Sequence, residues 1–282
     1  MKVLYVGVFN YNSTNVSQSD GFKKNNCEVV EFEYRKIGGE VGNVKRDNML
    51  IETCQREKPD VLVFAKCNEV SYPVVDECNK ITKTVLWYPD PVNVNFSTSL
   101  IEKIKRCNFS YCSIWLSYLK AKEIGGDKVF FLHEGYDHTS NYPVDVPYKY
   151  DYSFIGDARG HRRKYVDELK IPLIQNAYGK EHSEAVCSTK INLNFTEGGT
   201  SDRTYKVLAS KGFLLTQPWE SMEDDFIVGE DLDVFRSIEE LRQKIDYYLK
   251  NETQRRKIAE HGYQTVQKFD RINWAKKIIE KL

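Results

Sequence analysis

Two short stretches of this 282-residue chain gather cations where a helix should begin. The first is Ser153-Phe154-Ile155-Gly156-Asp157, an apolar run ending in glycine, followed by Arg159, His161, Arg162 and Arg163. Glycine at the end of a buried strand allows close backbone approach, and helix N–H groups with arginines suit a diphosphate. The same residues also fit a solvated basic helix start. The second is Ile191-Asn192-Leu193-Asn194-Phe195-Thr196, a strand with polar side chains. A Gly198-Gly199 turn follows, then Ser201-Asp202-Arg203-Thr204-Tyr205-Lys206. Ser201 or Asp202 caps a helix whose first turns carry Arg203 and Lys206. Cations at a helix N-terminus oppose the macrodipole unless an anion lies between them, which marks a candidate anion site.

Candidates for proton transfer lie earlier in the chain. Asp90 follows a strand-like run and stands between Pro89 and Pro91. It is a candidate general base, or else a turn residue. His133, Glu134 and Asp137 follow the last strand of the first half and are either a base or caps of a linker. Trp87 and Tyr88 either stack on an acceptor or pack the core. Gly7 is followed by Asn10, Asn12, Ser13, Thr14 and Asn15, a polar loop without the glycines a dinucleotide pyrophosphate needs. There is no phosphate-binding GxxxxGK run and no GxSxG elbow. None of the five histidines pairs with another His or Cys at metal-ligand spacing, so no metal centre is expected.

The segment Arg203-Thr204-Tyr205-Lys206-Val207-Leu208-Ala209-Ser210-Lys211-Gly212-Phe213-Leu214-Leu215-Thr216 resembles a signature of the CgeB-like, spore-maturation-type group-1 glycosyltransferases. That family reads R-S/T-F/Y-E-x-L/M-A-C/S-G-G-F-L-L-T here. DYSFIGD (151–157) is similar to the strand that opens the family's second domain, STKINLNFT (188–196) to its S-K-I-x-L-N strand, and 222–262 to its tail. Residues of about 150–270 carry the likeness, and the first 149 share only the layout and the Asp90-Pro91 step. The resemblance implies a GT-B fold: α/β, two Rossmann-like domains with a parallel sheet each, facing across a cleft. It implies a nucleotide-sugar donor held mainly by the second domain, an acceptor on the first, and no bound metal or other cofactor. Carried over by position, Arg203 binds the donor diphosphate, Gly156 admits it, and Asp231 stands where the family has Glu in G-x-E. Arg159, Asn194 and Lys206 complete the donor-side set. Asp90 and His133 are the catalytic candidates, and Asn10, Tyr88 and Glu134 the acceptor-side ones. Two departures stand out. The family glutamate near the donor ribose or sugar is Lys206, and the first glycine of G-G is Lys211. The stretch Pro172–Ser188 also looks trimmed.

These residues need elements to position them. Short apolar runs at Val3–Val8, Val29–Tyr34, Asp60–Ala65, Thr84–Tyr88, Phe109–Cys112 and Val129–Leu132 read as strands. Asn43–Glu57, Val74–Lys80, Leu100–Arg106 and Ile114–Ile124 read as the helices between them. Strands alternating with helices indicate a parallel sheet. His138–Lys149, with Pro143 and Pro147 and no periodicity, reads as a linker at 141–149 after a first domain of 1–140. A second alternation follows: strands at Asp151–Ile155, Leu173–Ile174, Ile191–Phe195 and Phe213–Thr216, with helices at Arg162–Leu169, Arg203–Ser210, Ile238–Leu249 and Thr253–Phe269. The second domain is expected at 150–271, and a last helix, 272–282, to pack back on the first.

Composition narrows the partners. Lys and Arg number 41, and so do Asp and Glu. Residues 1–147 carry 18 basic and 19 acidic residues, leaving 23 and 22 for the rest. Neither part is a basic domain, which argues against broad phosphate-backbone binding but leaves room for a small cationic pocket. The seven cysteines are odd in number and form no CxxC pair, which fits buried reduced thiols. The first residues are too short an apolar run for a signal sequence, and the longest apolar run, Val61–Ala65, is far too short to span a bilayer. A cytoplasmic protein is expected, so Asn95-Phe96-Ser97 carries no glycan. The function expected is transfer of a sugar from a nucleotide-diphosphate sugar, UDP-linked, to an acceptor hydroxyl without metal. The acceptor is a glycan, a protein, a small molecule or, in a phage, a modified DNA base. The alternatives are a non-catalytic nucleotide-sugar-binding protein and a sugar-nucleotide epimerase of the same fold.

Overall fold

The computed structural model describes residues 1–91, 97–196 and 199–282. The Asn95-Phe96-Ser97 triplet (in its first two residues) and Gly198 of the Gly198-Gly199 turn lie outside the described residues. The chain forms two compact units, Met1–Glu134 with Arg271–Leu282, and Gly135–Asp270. Among the described residues no helix is long and apolar enough to cross a membrane.

The first unit runs β1 (Lys2–Gly7), α1 (Thr14–Lys24), β2 (Glu28–Glu33), α2 (Tyr34–Val41), α3 (Asn43–Glu57), β3 (Val61–Ala65), α4 (Pro73–Asn79), β4 (Lys83–Tyr88), α5 (Thr98–Arg106), β5 (Phe109–Cys112), α6 (Trp115–Gly125) and β6 (Val129–Phe131). Its strands pair parallel in the order β2-β1-β3-β4-β5-β6. Val61–Ala65 is buried on both faces, as expected of a central strand under helices. The order turns back between β1 and β3, the switch point at which doubly wound sheets leave a crevice. The polar run after Gly7 is not only a loop. Ser13 accepts from Asn15 N and starts α1 at Thr14, so side-chain capping outweighs the weak apolar pattern there. The C-terminal helix Arg271–Ile279 lies against α1, with Trp274 edge-on to Phe22 at 5.7 Å and to Trp87 at 5.2 Å. Trp87 is therefore core, 1% exposed, although it also lines the first unit's cavity described below. All seven cysteines are free, and six are buried.

The second unit runs β7 (Tyr150–Ile155), α7 (His161–Leu169), β8 (Leu173–Ile174), α8 (Gly179–Cys187), β9 (Thr189–Asn194), α9 (Asp202–Ala209), β10 (Leu214–Thr216), β11 (Asp233–Val234), α10 (Ile238–Lys250) and α11 (Glu252–Val266). Its sheet, also parallel, is ordered β11-β10-β9-β7-β8, with the switch point between β7 and β9. The stretch that looks trimmed holds the two-residue edge strand β8 and the helix α8, which returns the chain from the edge to β9. Phe154, Phe195 and Phe235 fill the core beneath, with ring centroids 5.1 Å and 5.8 Å apart.

Candidate functional site

Arg203 is the residue around which the second unit's switch point is built. It stands one residue into α9, and its guanidinium reaches back across the ends of two strands. Nε donates to Ile155 O at 2.6 Å, at the end of β7, and Nη1 donates to Asn194 Oδ1 at 2.8 Å, at the end of β9. The Phe154 ring lies beneath it, 4.6 Å away. Burial pulls the Arg203 pKa down to about 10, which still leaves it charged at neutral pH. Gly156 takes φ +141, and a Cβ there would lie 2.6 Å from Arg203 Nη2. The glycine thus makes room for the guanidinium itself, a tighter reason than close approach of a ligand.

Gly156, Asp157, Arg159, Asp202, Arg203 and Lys206 line one cavity of about 490 Å³, closed on its far wall by Gln175–Tyr178 and His182. Three cations face two carboxylates there. Arg159, exposed, pairs with Asp157, and Lys206 pairs with Asp202 at 2.5 Å. The conflict read between Lys206 and the helix dipole is thus partly answered by its own first-turn carboxylate. At the start of the same helix the Ser201 hydroxyl is buried without a partner among the described residues.

Not every predicted donor-side residue reaches this cavity. The Asn194 amide is fully buried, and its Nδ2 donates to Thr204 and Thr216 hydroxyls at 3.3 Å. It orients Arg203 rather than lining the cavity. Asp231 lies elsewhere. Its carboxylate accepts from Ile227 N at 2.8 Å and Thr265 Oγ1 at 2.7 Å, with His261 Nδ1 3.3 Å away, and so ties a turn to α11. His182 and the loop before it were not predicted. The loop's signal is Asn176-Ala177-Tyr178-Gly179, where Asn176 (φ 58) and Gly179 (φ 52) make the left-handed turn into α8.

The first unit has its own cavity, of about 310 Å³, at the ends of β1, β3 and β4. Asn12, Ser13, Asn15 and Gln18 supply amides and a hydroxyl, and Arg35, Lys66, Asp90 and Glu134 the charges. Asp90 forms an ion pair with Lys66. Lys66 and Cys67 are consecutive left-handed residues (φ 65 and 50), held by Lys66 N to Trp87 O at 2.7 Å and by buried Lys103 Nζ to Cys67 O at 2.6 Å. Such strain collects at functional sites. Gln18 accepts from Tyr5 Oη at 2.7 Å and Asn15 Nδ2 at 2.9 Å, while its Nε2 is buried without a partner among the described residues. Asn10, exposed, and Tyr88, half-buried against the core, do not line this cavity. Neither does His133, whose ring packs edge-on against Phe131 at 4.8 Å. Among the described residues no cluster of three or more His, Cys, Asp or Glu is placed to hold a metal ion.

Two parallel doubly wound units in this order define the GT-B fold. Solved structures with it span nearly the whole chain. HepE of Anabaena, solved with UDP-glucose, has a TM-score of 0.71 at 10% identity, covering 100% of this chain and 99% of that one. Sucrose-phosphate synthase of Thermosynechococcus elongatus gives 0.71 at 8% identity over 99% and 98%. A Listeria monocytogenes protein described as a UDP-N-acetylglucosamine 2-epimerase gives 0.62 at 10% over 99% and 94%. Residues 144–280 match the family model described as glycosyl transferase-like. By fold this is a GT-B protein, and its residues 144–280 are similar to glycosyl transferase-like sequences. No curated protein matches the sequence.

Proposed function

We propose that the protein transfers a sugar from a nucleotide-diphosphate sugar to an acceptor hydroxyl. The observation that carries this is Arg203, anchored at a switch point with its remaining donors beside a cavity shared with Arg159, Lys206 and Gly156. Fixed cations at a helix start offset the charge that develops on a departing diphosphate. That role needs no metal, so a metal-independent reaction is part of the reading. Its anchored guanidinium also needs little reorganisation at the moment of bond breaking. UDP is the nucleotide favoured, because HepE, of the same fold, was solved with UDP-glucose.

On the acceptor side, Asp90 is the proposed base. Its carboxylate, steadied by Lys66, lines a cavity whose Asn12, Ser13, Asn15 and Gln18 offer neutral hydrogen bonds to a hydroxyl-bearing acceptor. His133 is the second candidate, and its edge-on packing against Phe131 is a reason to test it after Asp90. The acceptor itself, whether glycan, protein, small molecule or modified base, follows from assay.

Binding and hydrolysis of a panel of UDP-, GDP-, dTDP- and CMP-sugars test the reading. Turnover or binding of a diphosphate donor with loss in Arg203→Ala supports it, and no binding of any donor sinks it. An epimerase is the second reading, favoured by the Listeria neighbour; conversion of a free nucleotide sugar without acceptor would select it.

A further inference from the structure

One wall of the second unit's cavity carries no cation. It is made by Gln175–Tyr178 and by α8, which places His182 one turn from its start. His182 is 7% exposed, and its Nδ1 is buried with no hydrogen-bond partner among the described residues. Buried polar atoms are ordinarily paired, and one left unpaired beside a polar cavity calls for an explanation. The charged groups acting on this imidazole are Lys206, Asp202 and Arg203 of α9. Lys206 is already committed to Asp202 and Arg203 to Ile155 O and Asn194 Oδ1, so none of them satisfies the ring. Burial first, and the Lys206 charge second, hold its pKa down to about 3, so the ring is neutral at ordinary pH. A neutral imidazole offers one donor and one acceptor and no charge. That chemistry matches hydroxyl groups rather than phosphate, which Arg159 and Arg203 beside Gly156 are built to meet.

In a nucleoside diphosphate the hydroxyl-bearing ring adjoins the diphosphate directly. We infer that the His182 imidazole hydrogen-bonds the ribose hydroxyls of the donor nucleotide and makes the site selective for a ribonucleotide. The inference rests on the donor-site reading above and extends it to a residue on α8. It also gives a place to Lys206. That lysine is bound to Asp202, and recognition of hydroxyl groups falls to His182.

The test is calorimetric titration of the full chain with UDP, GDP and their 2′-deoxy and 3′-deoxy counterparts, for wild type, His182→Ala and His182→Asn. Wild type should bind the ribonucleotide roughly tenfold tighter than at least one deoxy analogue, the size of one buried hydrogen bond. His182→Ala should weaken the ribonucleotide by a similar factor and lose the discrimination. His182→Asn, whose amide can still pair, should recover most of both. A wild type blind to both deoxy positions overturns the inference even if the alanine variant fails to fold. Equal weakening of ribo and deoxy ligands in His182→Ala overturns it too, since the contact would then be to base or diphosphate. If wild type binds no nucleotide at all, the donor reading falls and this inference with it; binding indifferent to His182 overturns the inference alone.

Discussion

Gly156→Ala is the smallest change that reaches the centre of the proposed donor site. The added methyl carbon would sit 2.6 Å from Arg203 Nη2 and 3.3 Å from its Cζ. Reaching an ordinary contact of 3.4 Å means moving the guanidinium by about 0.8 Å. The group is planar and rigid, so Nη2 cannot move alone. A shift of that size takes the Nη1–Asn194 bond from 2.8 Å to about 3.6 Å, beyond hydrogen-bond range. Two costs result. Alanine at φ +141 is strained by about 1–3 kcal/mol, and a lost bond to a charged group costs about 1.5–3 kcal/mol.

How these costs divide depends on where the arginine goes. If it stays, stability absorbs both, and the unit should melt about 10 °C lower. If it swings away, the donor loses its main cationic partner, and the UDP dissociation constant should rise by about 10- to 100-fold. Gly126→Ala is the control. Gly126 also has positive φ (+63) but nothing within 4 Å of its would-be Cβ, so only backbone strain in the first unit is expected, with unchanged UDP affinity. Thermal melts and UDP titrations of both variants decide. A folded Gly156→Ala protein that binds UDP within twofold of wild type would refute the assignment of Arg203 as the diphosphate anchor.

Other perturbations separate the parts of the proposal. Asp90→Asn should lower transfer by about 10²–10⁴-fold while leaving UDP affinity unchanged, because Asp90 lines the first unit's cavity only; transfer at the wild-type rate would remove it as the base. Activity should withstand saturating EDTA, and a loss restored by a divalent cation would end the metal-independent reading. Lys206→Ala should change stability by less than about 1 kcal/mol, since its pair with Asp202 is partly exposed, yet weaken donor binding measurably; unchanged affinity would leave Lys206 a surface charge. Stability should also fall in acid through His182. Its pKa is about 3 folded and about 6.5 unfolded, so the unfolded chain binds more protons between those values. The contribution is complete above pH 6.5 and is lost on acidification at up to about 1.4 kcal/mol per pH unit. Urea unfolding of His182→Asn should show a slope shallower by that amount, and matching slopes would be inconsistent with a buried neutral imidazole.

The sequence exposed what repeats and hid what depends on turns. Every strand but β11 is foreshadowed by an apolar run, because central strands such as Val61–Ala65 are buried on both faces. Helices α1, α2 and α8 are not legible in it, for physical reasons. α1 buries Gln18 and Ser19 beside Phe22, so its inward face does not read as apolar, and α8 is short and enters from a left-handed turn. At the site, charge at a helix start pointed to Arg203 and Lys206. It could not tell that Asn194 would face Arg203, nor that Asp231 would close a distant turn, because both depend on register across strands. His182 carried no sequence signal of its own, since its state is set by burial and by Lys206 opposite.

The two units share one strand order, so the difference between their cavities lies in the residues just past the strand ends. In the second unit β7 and β9 end in Ile155 and Asn194, whose oxygens grip one arginine and leave its charge facing the cavity. In the first, β3 ends beside the left-handed pair Lys66 and Cys67, and β4 leads to Asp90; the lysine and the carboxylate neutralise each other amid amides and hydroxyls. One crevice therefore presents uncompensated positive charge and the other a charge-balanced polar lining. A diphosphate and a neutral hydroxyl have those same opposite requirements. The division of donor and acceptor between the units rests on that contrast, and exchanging it by mutation, with Lys66→Ala freeing Asp90 and Asp202→Ala freeing Lys206, should affect acceptor turnover in the first case and donor affinity in the second.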